Sequence, residues 1–435
     1  MNISIISVFP EIYNDFLSTS LVRRAKESGL VNYNLDSLRS FVAPKERIDS
    51  PTFGPGSGMV IKAEVVQKAI EDKEKDFGQA FKVFFSPGGR KLDQDYLREI
   101  SNLAQIKGHL MLLPARYEGM DSRVEEYYAD AVVSIGDFVL MGGDLPAMVF
   151  LEGFLRLIPG VVGKQESVEL ESFSGPFVDY PCYGEPVDWN GSVVPEILRS
   201  GNHEQIRKWR LKSSVSKTVI RHFDWMRTKF IESKEQKDLI KELIPPHYAA
   251  LMHNDVYVGS DEKCIGNTSV TSIDIHDIAR SSKSFGIKNY FIVTSLLDQQ
   301  KIVQKLLDFW KEGPGFSYNK SRFDAVKSVF LKDNLEKVLH QIEKQEGKKP
   351  LVIVTSAKDY KKDNIITYHD HRKVWELGRP VLFLFGTGQG LADHIMELAD
   401  FILIPVEGYS DYNHLSVRSA AAIIFDRWLG SNLKK

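Results

Sequence analysis

Two stretches of the chain combine an apolar, strand-like run with glycines and a helix-like continuation. Residues 131–147 read AVVSIGDFVLMGGDLPA, and residues 379–395 read RPVLFLFGTGQGLADHI. Because glycine permits positive φ and lets a ligand approach the backbone closely, such a junction can present bare amides to a small molecule. Two junctions of this kind, each at the end of its own α/β-like block, predict two related nucleotide-type sites on one polypeptide.

Three glycine-bearing loops follow strand-like runs in the first block. They read FFSPGGRKLD (84–93), LLPARYEGMD (112–121) and SIGDFVLMGGDLPA (134–147). Loops at the carboxyl ends of parallel strands are where α/β sheets bind ligands, so three of them in one small domain favour a binding site over plain turns. None of the loops fits the dinucleotide fingerprint, and the Gly-Lys-Ser/Thr of a P-loop is also missing. A nucleotide-dependent oxidoreductase is therefore a disfavoured alternative.

A cationic segment lies near the middle of a chain whose formal net charge is only −2. Between residues 199 and 229, the opposing acids are Glu204 and Asp224. A run of charge is often only a solvated helix face, but cations interleaved with rings suit phosphates and unstacked bases, so we expect RNA contacts here. The cations are Arg199, Arg207, Lys208, Arg210, Lys212, Lys217, Arg221, Arg227 and Lys229, and the interleaved rings are Trp209, His222 and Trp225.

The composition is typical of a soluble globular protein with two or three domains. Of the 435 residues, 43% are hydrophobic and 26% are charged. No window approaches 18 uncharged apolar residues, and MNISIISVFPEIYNDF at the start lacks the pattern of a signal peptide, so we expect no membrane partner. Cys182 and Cys264 are too few for a disulfide framework, which favours a reducing cytoplasm.

The order of elements predicts the α/β fold class, with two α/β domains and a small helical domain after the first. Strand-like and helix-like runs alternate over residues 1–162, which predicts a parallel sheet. Residues 163–175 are polar and predict a flexible linker, and residues 176–246 have a helical pattern that Pro245-Pro246 stops. A second α/β block follows at 250–435, with strand-like runs at 290–294, 351–356, 381–385 and 401–405.

Ordered motifs across residues 1 to about 245 resemble the bacterial tRNA (guanine-N1)-methyltransferase family. The motifs are IISVFPE, GPGSGM, SPGGRKLDQ, RYEGMD, SIGDFVLMGGDLPAM, RLIPGVVG and SGNHEQIRKWRLK. The resemblance implies a SPOUT-type fold whose trefoil knot holds S-adenosylmethionine in a bent shape, and a homodimer that methylates guanosine 37 of tRNA. The residues that the resemblance implies as cofactor contacts are Ser86, Pro87, Tyr117, Ile135, Gly136, Val139, Leu140, Gly142, Gly143 and Pro146.

The chemistry implied by this resemblance needs an acid and a cation. Guanine N1 carries a proton at neutral pH, so a carboxylate must accept that proton for N1 to attack a methyl sulfonium, and a cation can stabilise charge on O6. The family's base is an aspartate, and Glu171 occupies its position here, to be supplied by one subunit to the other. Arg156 matches the stabilising arginine and Glu118 an acid that contacts the target base. The resemblance also implies magnesium near Glu118 and Glu171; without it, Glu171 would pass for an ordinary polar linker residue.

The same resemblance assigns tRNA contacts to the cationic segment. The target base would have to unstack from the anticodon loop to reach the pocket, and the linker would order when tRNA arrives. The RNA-binding residues that it implies are Asn202, His203, Arg207, Arg210 and Lys212.

The second block resembles another SPOUT-type RNA methyltransferase domain. DIHDIARSSKSFGI (274–287) is similar to the first motif of ribose 2′-O-methyltransferases of the SpoU branch, and its apolar spacing predicts a helix with Arg280 on the polar side. Arg280 would lower the pKa of a ribose hydroxyl, although an arginine on a helix face is commonly only solvated. The implied cofactor residues are Gly386, Gly388, Gly390, Ile404 and Leu415, and Asn413 and Ser416 would hold the ribose or the cofactor.

One departure keeps an alternative open for this second block. The loop GTGQG lacks the glutamate that is usual in the corresponding glycine-rich motif. A non-catalytic tRNA-binding or dimerisation module therefore stands beside the catalytic interpretation of residues 250–435.

Overall fold

The computed structural model describes residues 1–54, 58–163, 171–259, 264–313 and 318–431. Its contacts divide the chain into two compact units, Met1–Gly175 and Pro176–Lys435, and each is described by itself. The expected linker falls at the end of the first unit, and its residues 164–170 lie outside the described residues. No helix in the described ranges is long and apolar enough to cross a membrane.

The first unit contains a five-stranded sheet with the order β2-β1-β6-β5-β7, in which all neighbours pair in parallel. The parallel α/β arrangement predicted for this block is thereby confirmed. Its strands are β1 (Asn2–Ser7), β2 (Asn32–Ser37), β5 (Phe81–Lys91), β6 (His109–Pro114) and β7 (Ala131–Ser134), and β3 (Asp49–Pro51) and β4 (Met59–Ile61) form a separate antiparallel pair.

The central strand β6 shows why the sheet is covered on both faces. All six of its residues are buried. Leu110 and Leu112 pack into one apolar core, whereas Met111 and Leu113 pack into another on the opposite face, as side chains alternate along a strand. A continuous apolar run of this kind is typical of a parallel strand between two layers of helices.

The helices of the first unit begin and end at recognisable signals. The Asp93 side chain accepts a hydrogen bond from the Tyr96 amide at the start of the fourth helix, and Gly108, in the left-handed conformation, follows its end. The sixth begins directly after Gly142-Gly143 and buries Phe150 and Phe154. The helices are α1 (Asn14–Leu17), α2 (Ser20–Glu27), α3 (Ala63–Phe77), α4 (Gln94–Lys107), α5 (Ser122–Tyr128) and α6 (Asp144–Leu155), with 3-10 turns at Pro10–Tyr13 and Leu38–Phe41.

The second unit contains a seven-stranded parallel sheet with the order β14-β13-β10-β17-β15-β18-β16. The four strand-like runs of the sequence correspond to β13, β15, β17 and β18. The sheet strands are β10 (His247–Met252), β13 (Asn289–Val293), β14 (Val329–Lys332), β15 (Leu351–Thr355), β16 (Ile365–Ile366), β17 (Val381–Gly386) and β18 (Phe401–Leu403). Two antiparallel pairs lie apart from it, β8 (Asp188–Trp189) with β9 (Ser192–Val193) and β11 (Val256–Tyr257) with β12 (Ile265–Gly266).

The helices of the second unit fall into two groups. The first group lies in the expected helical segment: α7 (His203–Arg221), α8 (Phe223–Met226) and α9 (Lys234–Leu243), preceded by a 3-10 turn at Glu196–Arg199. The second group flanks the sheet: α10 (Ser272–Ser284), α11 (Leu297–Lys311), α12 (Lys320–Val326), α13 (Leu335–Glu346), α14 (His371–Trp375), α15 (Asp393–Glu397) and α16 (Val417–Leu429).

The helical segment and the second α/β block share one apolar core. Val215, Val219 and Phe223 belong to the same buried cluster as Trp375 of α14 and Trp428 of α16. This packing explains why the contacts divide the chain near residue 175 and not near 246. The helical segment is therefore part of the second compact unit, whereas the four domain boundaries drawn from the sequence stay a prediction.

The aromatic centre of the second unit yields a stability prediction. Phe383 on β17 is completely buried, and its ring centroid lies 6.2 Å from that of Phe425 and 5.9 Å from that of Trp428. Phe383→Ala should lower the free energy of unfolding of this unit by about 3–5 kcal/mol, because it removes apolar contact and leaves a cavity. Tryptophan fluorescence during denaturant unfolding measures this, since all 6 tryptophans lie between residues 176 and 435.

The matched control for this change is Leu377→Ala. Leu377 is 51% exposed, so its truncation should change the free energy of unfolding by no more than about 0.5 kcal/mol. An unchanged unfolding midpoint in Phe383→Ala would contradict the placement of Phe383 in the core.

Candidate active sites

A cavity of about 380 Å³ opens at the carboxyl edge of the first sheet. Its walls come from an irregular part of β5 and from the loops after β6 and β7, so the three glycine-bearing loops of the sequence meet there. The structure brings together around it all the residues expected to contact the first cofactor: Ser86, Pro87, Tyr117, Ile135, Gly136, Val139, Leu140, Gly142, Gly143 and Pro146.

The two loops that face each other across this cavity are joined by their backbones. The Gly143 amide donates to the carbonyl oxygen of Ala115 at 2.7 Å. A Cβ at Gly143 would lie 2.8 Å from the Ala115 nitrogen and 3.0 Å from the Pro114 Cα. Glycine is therefore needed at this position because the two backbones approach too closely for any side chain.

A buried carboxylate, that of Asp144, holds the loop after β6 in place. Asp144 is completely buried and accepts hydrogen bonds from Ser7 Oγ at 2.6 Å, Tyr13 OH at 3.1 Å and Arg116 Nε at 2.6 Å. Burial and the neighbouring Asp144 charge raise the pKa of the Tyr13 hydroxyl well above its ordinary value, so it stays a donor. Sequence reasoning missed Asp144, although an acid directly after Gly142-Gly143 at a helix start was the available signal.

Arg116 in turn positions the two residues that follow it. Tyr117 has a φ of +61° and is 48% exposed, and both it and Glu118 line the cavity. The Glu118 amide donates to the carbonyl oxygen of Met59 at 3.0 Å, and its side chain lies against Gly58, where a Cβ would be 2.3 Å from Glu118 Cγ. Among the described residues of the lining, the charged side chains are Glu118 and Glu125, which suits a ligand that carries positive charge.

Arg156 and Glu171 form the ion pair that the sequence analysis singled out. Arg156 Nη2 donates to both carboxylate oxygens of Glu171, at 2.7 and 2.6 Å. The side chains are 44% and 35% exposed, so water competes for both partners. Neither residue is among those that line the cavity of the same chain. The pair is thus a carboxylate and a cation held together at the surface of the first unit.

A metal centre made by side chains alone is absent from the described residues. In the ranges that the structure describes, no three His, Cys, Asp or Glu side chains lie close enough to hold an ion. Glu118 and Glu171, where magnesium was expected, do not form such a group.

A second cavity of about 740 Å³ opens at the carboxyl edge of the second sheet. Its walls come from the segments after β15, β17 and β18 and from the start of α16. Lys358 and His414 also line it, and sequence reasoning did not single them out. The lining includes Gly386, Gly388, Gly390, Ile404, Asn413, Leu415 and Ser416, which are the cofactor and RNA residues expected there.

The GTGQG loop is tied to the underlying strand by a chain of hydroxyl groups. Thr387 Oγ1 donates to the carbonyl oxygen of Met252 at 2.8 Å, so it accepts from Thr268 Oγ1 at 2.5 Å, and His253 Nδ1 donates to Thr268 at 3.0 Å. Burial lowers the pKa of His253 to about 4, so this histidine is neutral near pH 7 with its proton on Nδ1. Gly388, with a φ of +60°, completes the turn because a Cβ there would lie 2.6 Å from the Tyr257 carbonyl oxygen.

Arg280 is exposed on α10 and is not among the residues that line the second cavity. Ile275, Ile278 and Ala279 are buried on the other side of the helix, as the spacing predicted. A second arginine, Arg418, follows the lining residues Ser416 and Val417 along the chain and pairs with Asp274 of α10 at 3.2 Å. This pair joins α10 to α16.

The expected RNA-binding residues extend from the N-cap of α7 to its middle. Asn202 caps the helix by accepting from the Gln205 amide, and His203 beside it is exposed. The remaining contacts are Arg207 with Glu204 at 3.1 Å and Glu235 at 3.5 Å, Lys212 with Glu242 at 2.8 Å, and Arg210 over the Tyr180 ring at 4.8 Å. Acids from α9 thus neutralise part of the charge that the count over 199–229 had left unopposed.

Comparisons with known proteins match both halves of the chain. Residues 1–228 match the family model described as tRNA (Guanine-1)-methyltransferase TrmD, and residues 246–430 match the model of a SAM-dependent RNA methyltransferase. Full-length relatives named tRNA (guanine-N(1)-)-methyltransferase come from Nitratidesulfovibrio vulgaris, 39% identical over 99% of both chains, and Oleidesulfovibrio alaskensis, 37% identical over 100% of both. A relative of the same name from Carboxydothermus hydrogenoformans is 39% identical over 55% of this chain and 92% of its own.

The close approach at Gly143 yields a binding prediction. Gly143→Ala should separate the two loops of the first cavity and abolish one class of S-adenosylmethionine sites, because its methyl group would overlap backbone atoms of residues 114 and 115. Isothermal titration calorimetry of the full chain counts the sites. Gly175→Ala is the control, since a Cβ there meets nothing within 4 Å, and full binding by Gly143→Ala would contradict this geometry.

Proposed function

Because this chain belongs to the tRNA (guanine-N1)-methyltransferase family, we propose that its first domain transfers a methyl group from S-adenosylmethionine to N1 of guanosine 37, beside the anticodon of tRNA. The observation that supports this proposal most strongly is the first cavity, which brings the family's motif residues together at one edge of the sheet. We further propose that both α/β domains are SPOUT-type trefoil knots. The parallel sheets and the glycine loops at their carboxyl edges support this proposal.

The reaction needs little covalent chemistry from the protein. S-adenosylmethionine supplies an electrophilic methyl group on a sulfonium. Glu171 accepts the N1 proton of guanine, the N1 electron pair forms the bond to the methyl carbon, and the carbon–sulfur bond breaks with its electrons on sulfur. Arg156 stabilises the negative charge that develops on O6. The products are 1-methylguanosine in tRNA, S-adenosylhomocysteine and a proton on Glu171.

The half-exposed Arg156–Glu171 pair suits this sequence of events. A surface ion pair contributes only about 0–1 kcal/mol, so an arriving guanine can replace the arginine at the carboxylate at little cost. The released guanidinium is then available to O6 of the same base. Tyr117 and Glu118, held by the Arg116–Asp144 contact, border the space where the base and the methyl group meet.

We propose that the enzyme is a homodimer in which the linker of one subunit serves the cavity of the other. In support, Glu171 is not among the residues lining the cavity of its own chain. Mixing Glu171→Gln with Gly143→Ala subunits tests this directly. If the base acts across subunits, each mixed dimer regains one of its two sites. Random pairing of an equal mixture makes half of the dimers mixed, so the mixture should reach about one quarter of the wild-type rate. If the base acts within one chain, mixing restores nothing.

Magnesium near Glu118 and Glu171 is kept as a proposal. Mg²⁺ retains several waters and commonly uses only one or two carboxylates, so it does not require the three-ligand cluster that the described residues lack.

We also propose that the protein works in the cytoplasm. Cys182 and Cys264 are both free and exposed. Exposed free thiols are typical of a reducing compartment, where thiols are kept reduced.

Replacing the base gives the sharpest prediction for the first site. Glu171→Gln should lower N1 methylation by at least about 100-fold, because the amide keeps the shape but cannot accept the proton. The affinity for S-adenosylmethionine should stay unchanged. Mass spectrometry of tRNA nucleosides measures the product. Glu171→Asp, which restores the family's residue, is the control that should retain activity, and unchanged turnover in Glu171→Gln would remove Glu171 from the mechanism.

For the second domain we propose methylation of a ribose 2′-hydroxyl in tRNA. The match to a SAM-dependent RNA methyltransferase and a cavity with the expected glycines support this. Arg280 would orient and acidify the hydroxyl, with Asn413 and Ser416 holding the ribose or the cofactor. Because Arg280 lies outside the cavity lining, it would act on substrate bound at the mouth or in a partner subunit. The alternative is a non-catalytic tRNA-binding or dimerisation module.

Gly386→Ala distinguishes the two interpretations of the second domain. A Cβ there would lie 2.9 Å from the Leu391 nitrogen, so the substitution should displace the glycine loop that lines the second cavity and abolish ribose methylation while 1-methylguanosine still forms. Nucleoside mass spectrometry reads both products from one tRNA. Gly408→Ala is the control, because a Cβ at Gly408 meets nothing within 4 Å. If wild-type protein makes only 1-methylguanosine on every tRNA tested, the non-catalytic alternative holds.

A further inference from the structure

Helix α7 carries exposed cations in its first half and its buried residues in its second half. Arg207, Arg210 and Lys212 are exposed near its start, whereas Val215 and Val219 are completely buried. The buried half packs in the apolar core of the second α/β sheet. The exposed cations of α7 are therefore held in place by a segment that packs into the second α/β domain.

The turn after α7 is held on that domain by a buried ring. Phe223 is only 5% exposed, and its centroid lies 4.8 Å from the rings of both His371 and Trp375 on α14. Burial lowers the pKa of His371 to about 4, so this contact carries no charge near pH 7. The first residue of α8 thus packs its aromatic side chain between residues of the second domain.

Two polar contacts fasten the same turn. His369 donates from Nδ1 to Asp224 Oδ2 at 2.9 Å, and Arg227 Nη1 donates to the carbonyl oxygen of Arg427 at 2.6 Å. The Arg227 side chain is only 9% exposed, so water competes little for its hydrogen bond. The accepting carbonyl lies in the last turn of α16, the helix whose other end lines the second cavity.

We propose that the second α/β domain also serves N1 methylation, as the mount that holds the tRNA-binding helix in place. The proposal rests on the proposed function in one respect, namely that the exposed half of α7 contacts tRNA. A helix that is already fixed when the phosphate backbone arrives avoids the cost of being ordered on binding. Loosening the mount therefore weakens tRNA binding and leaves the chemical step unchanged, whatever reaction the second cavity performs.

Arg227→Met in the full chain tests the mount, because it keeps the apolar stem and removes both the hydrogen bond to residue 427 and the ion pair with Asp224. The KM for tRNA in N1 methylation should rise about tenfold, with kcat within about twofold and the affinity for S-adenosylmethionine unchanged. Arg227→Lys keeps a donor and should recover part of the loss. Arg372→Met is the matched control, since Arg372 on α14 pairs with Glu376 four residues on, and its KM should stay at the wild-type value.

Variants on the surface of α7 show whether a negative result refutes the mount or tRNA binding by α7. Arg210→Ala and Lys212→Ala should also raise the KM for tRNA. If they do and Arg227→Met does not, the mount is overturned and tRNA binding by α7 stands; if neither does, tRNA binding by α7 is overturned and the mount with it. Should Arg227→Met unfold the second unit at the assay temperature, His369→Ala carries the same test, because His369 is 74% exposed and its loss removes only the contact to Asp224.

Discussion

Both cavities depend on one physical constraint: loops at the carboxyl edge of a parallel sheet must approach each other at backbone distance without a side chain between them. Glycine allows the approach but supplies nothing to hold it. In the first unit the buried carboxylate of Asp144 holds it, since it gathers donors from β1, from the turn after β1 and from the loop after β6. In the second unit the hydroxyls of Thr387 and Thr268 do the same between β17 and β10.

The two sets of contacts differ in the free energy that is needed to break them. A buried carboxylate that loses its arginine partner keeps a charge without an opposite charge beside it, which costs about 3–5 kcal/mol. A neutral chain of hydroxyls ending at a neutral His253 loses only about 1 kcal/mol for each bond broken. Breaking the contacts that hold the first glycine loop therefore costs more free energy than breaking those that hold the second.

The sequence predicts the sheets and the position of both cavities because those features depend on local patterns. Apolar runs such as HLMLLP become parallel strands when both faces are covered, and the glycines that follow can only lie at their carboxyl ends. Asp144 escapes this reasoning because an acid at a helix start usually serves the helix dipole, and only the fold shows which donors surround it. The partial neutralisation of the α7 cations escapes it for a similar reason. The opposing acids, Glu235 and Glu242, lie on another helix about 30 residues away and become neighbours only on folding.

Two arginine–carboxylate pairs in the first unit show how burial decides the role of one chemical contact. Arg116–Asp144 and Arg156–Glu171 have the same shortest distance, 2.6 Å. The Asp144 side chain is 1% exposed, so separating that pair would leave a buried charge that water cannot solvate. This contact is therefore structural. The Glu171 side chain is 35% exposed, so its carboxylate can leave the arginine for another donor at almost no cost. A general base must exchange partners within each turnover, and among these two carboxylates only Glu171 is placed where that exchange is cheap.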